Sequence, residues 1–389
     1  MSNTWKIYVL ALLCFLVGTS EYVIAGILDR IADSMNISLI AAGQLITVFS
    51  LAYALGTPII IALTSRLDRR KLILYFLGLF IVANALAYLL PGYGLFVAAR
   101  VLMALGAGVV VVTSLTITAK IAAEGKQASA IATVITGFTA SLIVGVPLGR
   151  LVAASWDWKL VFAGIAVLGV LAMIVIASTI PPFEAEAPVP LKKQLYLLKQ
   201  PRILFALLVS FSWLSGYSIA YTYISPYLVS IAGMSESLLS ITLLAFGVAS
   251  LFGSKVGGLS TDRWGVKRTL IAGMSLHVAS LVLLNVTAHT HIALFVMIIL
   301  WSFAAWSSGP TQQYHLITMA PESSGIMLSL NSSVLQLALA AGAGIGGVAV
   351  SAISLSSITW IGAAAVFIAM IIIMVTYHSA ALKVKEQKI

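Results

Sequence analysis

Charge is scarce in this sequence. Only 9% of its 389 residues are Asp, Glu, Lys or Arg, against about 25% in a soluble domain. Acids are scarcer than bases, with 12 Asp and Glu beside 22 Lys and Arg. There is one cysteine, Cys14, so no disulfide can form within the chain, and a thiol in an apolar run reads as inert packing. No glycine-rich nucleotide loop, catalytic triad or metal-ligand spacing is present, and His289, His291, His315 and His378 lie scattered near the ends of apolar segments. The expectation is therefore no enzyme, no cofactor, no metal and no ATP drive by this chain alone.

What is abundant is hydrophobic surface. Apolar residues make up 61% of the chain, and the mean hydropathy is +1.08. That composition describes a polytopic membrane protein embedded in a lipid bilayer. Twelve spans can be read, at 5–28, 41–64, 72–90, 95–119, 128–153, 159–180, 202–225, 238–258, 269–287, 291–313, 326–351 and 358–377. The first is as long as a full span and is read as a retained helix, not a signal peptide.

The net charge of +10 would suggest nucleic acid in a soluble protein. Here it is explained by the positive-inside rule, and no nucleic-acid partner is expected. With the N-terminus inside, the cytoplasmic side holds Lys6, Arg66, Arg69, Arg70, Lys71, Lys120 and Lys126 in the first half. In the second half it holds Lys192, Lys193, Lys199, Arg202, Lys255, Arg263, Lys267, Arg268, Lys383, Lys385 and Lys388. The outer side holds only Arg30, Arg150 and Lys159, so the count is 18 against 3. This places the chain in the cell membrane with both termini cytoplasmic.

A proline-rich, charged stretch, "PPFEAEAPVPLKKQLYLLKQP", divides the chain nearly in half. It gives an amino-terminal six-helix bundle (1–180), a cytoplasmic linker (181–201) and a carboxy-terminal six-helix bundle with a short tail (202–389). The halves look like repeats. At one offset of 197 residues Gly56 falls on Gly253, Arg66 on Arg263, and the glycines of "GVPLG" (145–149) on those of "GAGIG" (342–346). The expected fold is an all-α membrane protein with twelve transmembrane helices in two pseudo-symmetric six-helix bundles, an arrangement used by transporters with a site near mid-membrane.

The segment "GGLSTDRWGVKR" (257–268) resembles the loop signature of the major facilitator superfamily, through Gly258, Asp262, Arg263, Gly265, Lys267 and Arg268. In the first copy of that loop Ser65 stands for the usual aspartate and Asp68 for the usual glycine. "RVLMALGAG" (100–108) is similar to the span-4 arginine motif, through Arg100 and Gly106. "GVPLG" is similar to the span-5 motif of the antiporter branch, through Gly145, Pro147 and Gly149. "SWDWKLVF" (155–162), "YTYISPYL" (221–228) and "LNSSVLQLALAAGAGIGG" (330–347) resemble bacterial drug, sugar and purine efflux permeases. The resemblance implies proton-coupled efflux of drugs or metabolites by alternating access, with a monomer as the working unit. A purine base, nucleoside or sugar exporter is the near rival. A lipid flippase is another, hinted at by Arg150 near the outer end of span 5.

Glu21 sits inside "GTSEYVIAG" (18–26) of span 1. A carboxylate at membrane depth needs a partner, a wet cavity or a proton. Gly18, Glu21, Tyr22, Ala25 and Asp29 share one helical face, while Val17, Ile24 and Leu28 are left to face lipid or packed helices. At about 1.5 Å rise per residue, Glu21 and Arg100 lie at similar depth below the outer surface. Arg100 keeps its charge and needs a counter-ion. Glu21 with Arg100 is thus a proton-coupling site, a static salt bridge or, third, a ligand for a substrate ammonium. A single acid deep in a span favours a proton over sodium as the coupling ion.

The resemblance makes Arg66, Arg70, Gly258, Asp262, Arg263, Gly265 and Arg268 an inner gate; otherwise the basic residues are topology anchors. Gly137, Gly145, Pro147 and Gly149 either bend span 5 to seal the interface of the halves or simply pack tightly, and Gly342, Gly344, Gly346 and Gly347 do the same in span 11. Substrate candidates are polar or aromatic side chains in mid-span. Spans 1 to 3 offer Tyr22, Gln44 and Asn84. Span 7 offers Trp213, Tyr217 and Tyr221 at a spacing of four. Span 10 offers Trp301 and Trp306, with Gln312 and Gln313 near its inner end, and span 11 offers Asn331 and Gln336. The set suits a flat, uncharged or weakly cationic solute. His277, midway along span 9, reads as a packed residue or a proton relay.

Overall fold

The computed structural model describes residues 3–64, 66–123, 127–183, 197–320 and 324–386. For 127–129, 324–326 and 378–386 only the helix is described. Lys126, Lys192, Lys193, Lys388, Ser65 and most of the proline-rich linker fall outside those residues.

The regular secondary structure of the described residues is all helical. The first group of elements is α1 (Asn3–Gly26), α2 (Leu28–Met35), α3 (Leu39–Leu63), α4 (Arg69–Leu89), α5 (Tyr93–Ile121), α6 (Gln127–Ala140), a π turn (Ser141–Gly145), α7 (Val146–Ser155) and α8 (Leu160–Thr179). The second group is α9 (Pro201–Thr222), α10 (Ile224–Ser230), α11 (Glu236–Val286), α12 (His291–Met319), α13 (Ser324–Ala352) and α14 (Ser357–Glu386).

Local chemistry explains the boundaries. Ser38 caps α3 by accepting from the Ala41 N–H at 3.2 Å. Asp68 caps α4 by accepting from the Lys71 N–H at 2.8 Å, which satisfies one of the orphan donors of a first turn. Span 1 ends at Gly26, not at residue 28. Ile27 leaves the helical region (φ −126°, ψ 19°) and the chain restarts as α2. The expected bend of span 5 is a π turn directly before Pro147, where the missing proline N–H breaks the regular ladder.

Eleven of the described helices are long and apolar enough to cross a membrane. Twelve separate spans were expected. The eighth and ninth are joined in α11, a 51-residue run interrupted only at Gly265 (φ 76°, ψ 166°). Those angles belong to a region that essentially only glycine adopts, so the chain turns at one residue where a longer loop was expected.

The chain divides into two compact units, Met1–Val189 with Glu236–Leu244, and Pro190–Ser235 with Ala245–Ile389. In the amino-terminal unit α1 packs on α6, the π turn, α7, α5 and α8, while α4 lies against α5 and α8. Val17, Ile24 and Leu28 are fully buried, so they face packed helices, not lipid. In the carboxy-terminal unit α9 packs on α13 and α14.

The 197-residue offset reappears in the packing. A Cβ on Gly145 would meet Thr19 Oγ1 of α1 at 2.3 Å, and one on Gly342 would meet Ser218 Cβ of α9 at 2.5 Å. A Cβ on Gly56 would meet Leu105 at 2.1 Å, and one on Gly253 the Phe303 carbonyl at 2.2 Å. Each glycine lets the equivalent helix pair approach closely within its own unit. Gly137 and Gly149 do likewise against Ala11 and Val23 of α1. The span-5 glycines Gly137, Gly145 and Gly149 thus all pack closely on α1 within one unit.

Candidate functional site

The interior of the amino-terminal unit is built around Arg100 of α5, which has no exposed surface. Its Nη1 donates to the Ser20 carbonyl of α1 at 2.8 Å and its Nε to the Leu45 carbonyl of α3 at 3.5 Å. The guanidinium carbon stands 4.2 Å from the Phe49 ring centroid, a cation–π contact in a desolvated setting. Its Nη2 has no hydrogen-bond partner among the described residues. Glu21 follows Ser20 directly on α1 and is buried. Glu21 is the one acidic side chain in the buried set of the described residues.

Asn84 of α4 ties this region together. Its Oδ1 accepts from Ser20 Oγ at 3.2 Å and its Nδ2 donates to the Phe80 carbonyl at 2.8 Å. It is completely buried, so it braces Ser20 and does not stand in a span ready for solute. Tyr22 is half-buried with its ring edge-on to Phe138 at 5.6 Å, and Gln44 is half-buried on α3.

The interior of the carboxy-terminal unit is aromatic. Tyr217 and Tyr221 stack at 5.0 Å and 16°, as the spacing of four on α9 predicts. Phe246 of α11 lies on Tyr221 at 5.3 Å and on Trp301 of α12 at 5.1 Å. Trp306 stands edge-on to Tyr217 at 6.1 Å. Trp301 is a core residue with no exposed surface, and its Nε1 donates to His277 Nε2 at 2.9 Å. That corrects its expected place on a cavity wall. The same bond makes His277 Nε2 an acceptor, so the ring proton sits on Nδ1. Such a neutral, fully buried ring anchors Trp301 and offers no relay geometry.

The indole nitrogens of Trp213 and Trp306 and the Asn331 Oδ1 have no partner among the described residues. Gln312 donates to the Ala206 carbonyl at 2.6 Å and to Ser210 Oγ at 3.1 Å, fixing α12 to α9. Trp213, Asn331 and Gln336 are all buried on their helices.

The loop residues are placed less tightly. Arg66, Asp262, Arg263 and Arg268 are exposed. Asp262 forms no ion pair among the described residues. Arg70 Nη2 donates to the Ala177 carbonyl near the end of α8, and Arg69 is buried. A Cβ on Gly258 would meet nothing within 4 Å, whereas one on Gly257 would meet the Ser307 carbonyl at 2.0 Å. The close helix approach in that motif therefore belongs to Gly257.

Sequence reading missed Phe49, Phe246, Ser20 and Glu236. The two phenylalanines sit in uniformly apolar runs and give no signal. Ser20 adjoins Glu21 and acts largely through its backbone carbonyl, which no side-chain pattern reveals. Glu236 carried a signal, as an acid near the start of a span on the side where basic residues are few.

The Major Facilitator Superfamily profile matches residues 10–323 and again 226–388. The MFS-type transporter YbcL of Bacillus subtilis is 61% identical over 379 residues, covering 97% of each chain. The inner membrane transport protein YdhP of Escherichia coli K12 is 30% identical over 352 residues, covering 90% of each. Among solved structures, a bacterial homologue of the human lysosomal transporter Spinster in an inward-facing, occupied conformation superposes with a TM-score of 0.79 at 16% identity, covering 96% of each chain. The D-xylose–proton symporter superposes with a TM-score of 0.77 at 19% identity, covering 96% of this chain and 97% of that one. The fold, the apolar helices and these relatives agree on one conclusion: the chain belongs to the Major Facilitator Superfamily and is a multi-pass membrane transporter of a solute.

Proposed function

We propose that the chain exports a small organic solute, drug-like or metabolic, in exchange for a proton. The observation that carries this reading is the unsaturated guanidinium of Arg100, bonded to the carbonyl of Ser20 directly before the buried Glu21. A buried carboxylate takes up a proton when it is desolvated and releases it when a cation approaches. Arg100 is held by two carbonyls and a ring, with Nη2 left over. A small helix movement that changes the Glu21–Arg100 separation changes the proton affinity of Glu21. In the outward state Glu21 takes a proton as solute leaves; in the inward state it releases the proton as solute binds.

Solute is held against the neutral aromatic face around Tyr217, Tyr221 and Trp306, by stacking and a few hydrogen bonds. The free indole N–H of Trp213 and of Trp306 favours a solute with acceptor atoms. That is also why a purine base or nucleoside remains the second reading, ahead of a sugar. The flippase reading loses its motive, because Arg150 is engaged by carboxylates and not open to a headgroup. The exposed Asp262, Arg263 and Arg268, with Arg66 and Arg70, act at the inner gate. Both termini lie on the cytoplasmic side of the cell membrane, and the monomer is the working unit.

The test is flux in proteoliposomes with an imposed pH gradient, screening dyes, purines, nucleosides and sugars. Glu21→Gln should abolish pH-driven accumulation while leaving the protein in the membrane. Undiminished proton-driven flux in that variant would falsify the reading.

A further inference from the structure

The carboxy-terminal unit is short of acids. Asp262 is the one acid whose side chain is described there, beside Lys199, Arg202, Lys255, Arg263, Lys267 and Arg268. In the amino-terminal unit the buried Arg150 has its acids at hand and donates to Glu236 and Asp29. Arg202 and Lys267 have none. Both are exposed, and neither forms a hydrogen bond or an ion pair among the described residues.

These two cations flank an aromatic pair at the end of the helices that bears the basic loops. Tyr377 of α14 stacks on His315 of α12 at 5.7 Å and 27°. Its hydroxyl lies 3.4 Å from His315 Nδ1, which leaves Nε2 for a further group. Lys267 of α11, two residues past the Gly265 turn, places its Nζ 5.8 Å from the Tyr377 ring centroid. Ile203 and Leu316, the residues next to Arg202 and His315, pack in one apolar cluster. The first turn of α9 therefore meets the same end of α12. Asp262 lies on the other side of the Gly265 turn from Lys267.

We propose that Arg202, Lys267, His315 and Tyr377 form a binding site for the phosphate headgroup of an anionic phospholipid. The first argument is chemistry. A guanidinium and an ammonium without a carboxylate between them suit a phosphate, the first as a planar fork and the second as a point charge. The second argument is that topology explains only part of the arrangement. Orientation in the bilayer needs the basic residues, but it needs no stacked tyrosine and histidine beneath them.

The third argument is the setting. Phe205 and Leu208 of α9 and Met374 and Val375 of α14 are exposed large apolar side chains. They lie within two turns of Arg202 or Tyr377, and α9 packs on α14. In a membrane protein such side chains meet acyl chains. The anion brought to these cations is thus one attached to a lipid, and basic pockets between helices at this level are where such headgroups bind.

The experiment needs neither the solute nor a pH gradient. The full chain is released for native mass spectrometry from detergent containing phosphatidylglycerol or phosphatidylcholine. The unaltered chain should retain phosphatidylglycerol and not phosphatidylcholine. Arg202→Gln together with Lys267→Gln should lower that retention about tenfold. Both residues are exposed and unbonded, so the fold is not at stake. Lys71→Gln together with Lys255→Gln removes the same charge at two other exposed positions and should leave retention unchanged. Equal losses in the two double variants would overturn the proposal, because the lipid would then answer to net charge alone. Equal retention of phosphatidylcholine would overturn it as well. So would displacement of phosphatidylglycerol by inorganic phosphate at millimolar concentration, which would mark a site for the free anion.

Discussion

In the amino-terminal unit the buried charged side chains among the described residues are Glu21, Arg69, Arg100 and Arg150. The buried interior of the carboxy-terminal unit has instead Tyr217, Tyr221, Phe246 and Trp301, with His277 as its one titratable imidazole. Yet the two share a scaffold, down to glycines at equivalent positions between equivalent helices. Equivalent helix pairs thus enclose different chemistry, charged in one unit and aromatic in the other. The proposed function assigns proton coupling to the first and solute binding to the second.

The sharpest way to break that contrast is at Glu21. If the charged interior carries coupling and the aromatic interior carries binding, Glu21→Gln should lower pH-driven flux at least about a hundredfold while solute exchange without a pH gradient survives. Loss of both together would mean that the units do not divide the labour. The reciprocal change is Tyr221→Ala. Removing one stacked ring should weaken solute affinity about three- to tenfold, the worth of an aromatic pair, and leave the dependence of flux on the pH gradient unaltered. Concentration dependence measured at two imposed gradients separates these outcomes.

The shared scaffold makes a prediction of its own. Gly145→Val and Gly342→Val each force a side chain into a contact shorter than 3 Å. Each should cost about 1–3 kcal/mol by overpacking, read as lowered thermal stability in detergent. Similar losses at the two positions would support equivalent helix pairs; a large loss at one alone would not.

Much of this was legible in the sequence, for identifiable reasons. Long apolar runs fix the helices because backbone groups in lipid must bond internally. The matching depths of Glu21 and Arg100 follow from helical rise, and Arg100 does reach the carbonyl of the residue beside Glu21. The stacking of Tyr217 on Tyr221 follows from their spacing. What could not be read depends on which face of a helix meets which neighbour. Trp301 is indistinguishable in sequence from Trp306, yet one is core and the other half-exposed. Asn84 was expected to meet solute and instead braces Ser20, because the fold turns it inward. The joining of spans 8 and 9 hinges on one backbone torsion at Gly265, and no hydropathy pattern records a torsion.

That torsion gives the finest comparison. Gly265 and Asp68 are separated by the same 197 residues as the other equivalent pairs, and both sit where a basic loop enters a helix. Gly265 makes its turn at φ 76°. Asp68 makes its turn at φ −55° and caps α4 with its carboxylate, which also accepts from the Phe183 N–H at 2.6 Å. The same corner is thus built by backbone freedom in one unit and by a side-chain bond in the other. Gly265→Ala should cost about 1 kcal/mol or more, since an L side chain is strained at that torsion. Asp68→Gly should cost only a few tenths of a kcal/mol at the cap itself, as glycine is tolerated there, plus the lost bond to Phe183. Melting temperatures of the two variants in the same detergent give the comparison. If Asp68→Gly proved the costlier, the bond to Phe183 would outweigh the cap, and α4 would be held from the far end of α8 and not by its own first turn.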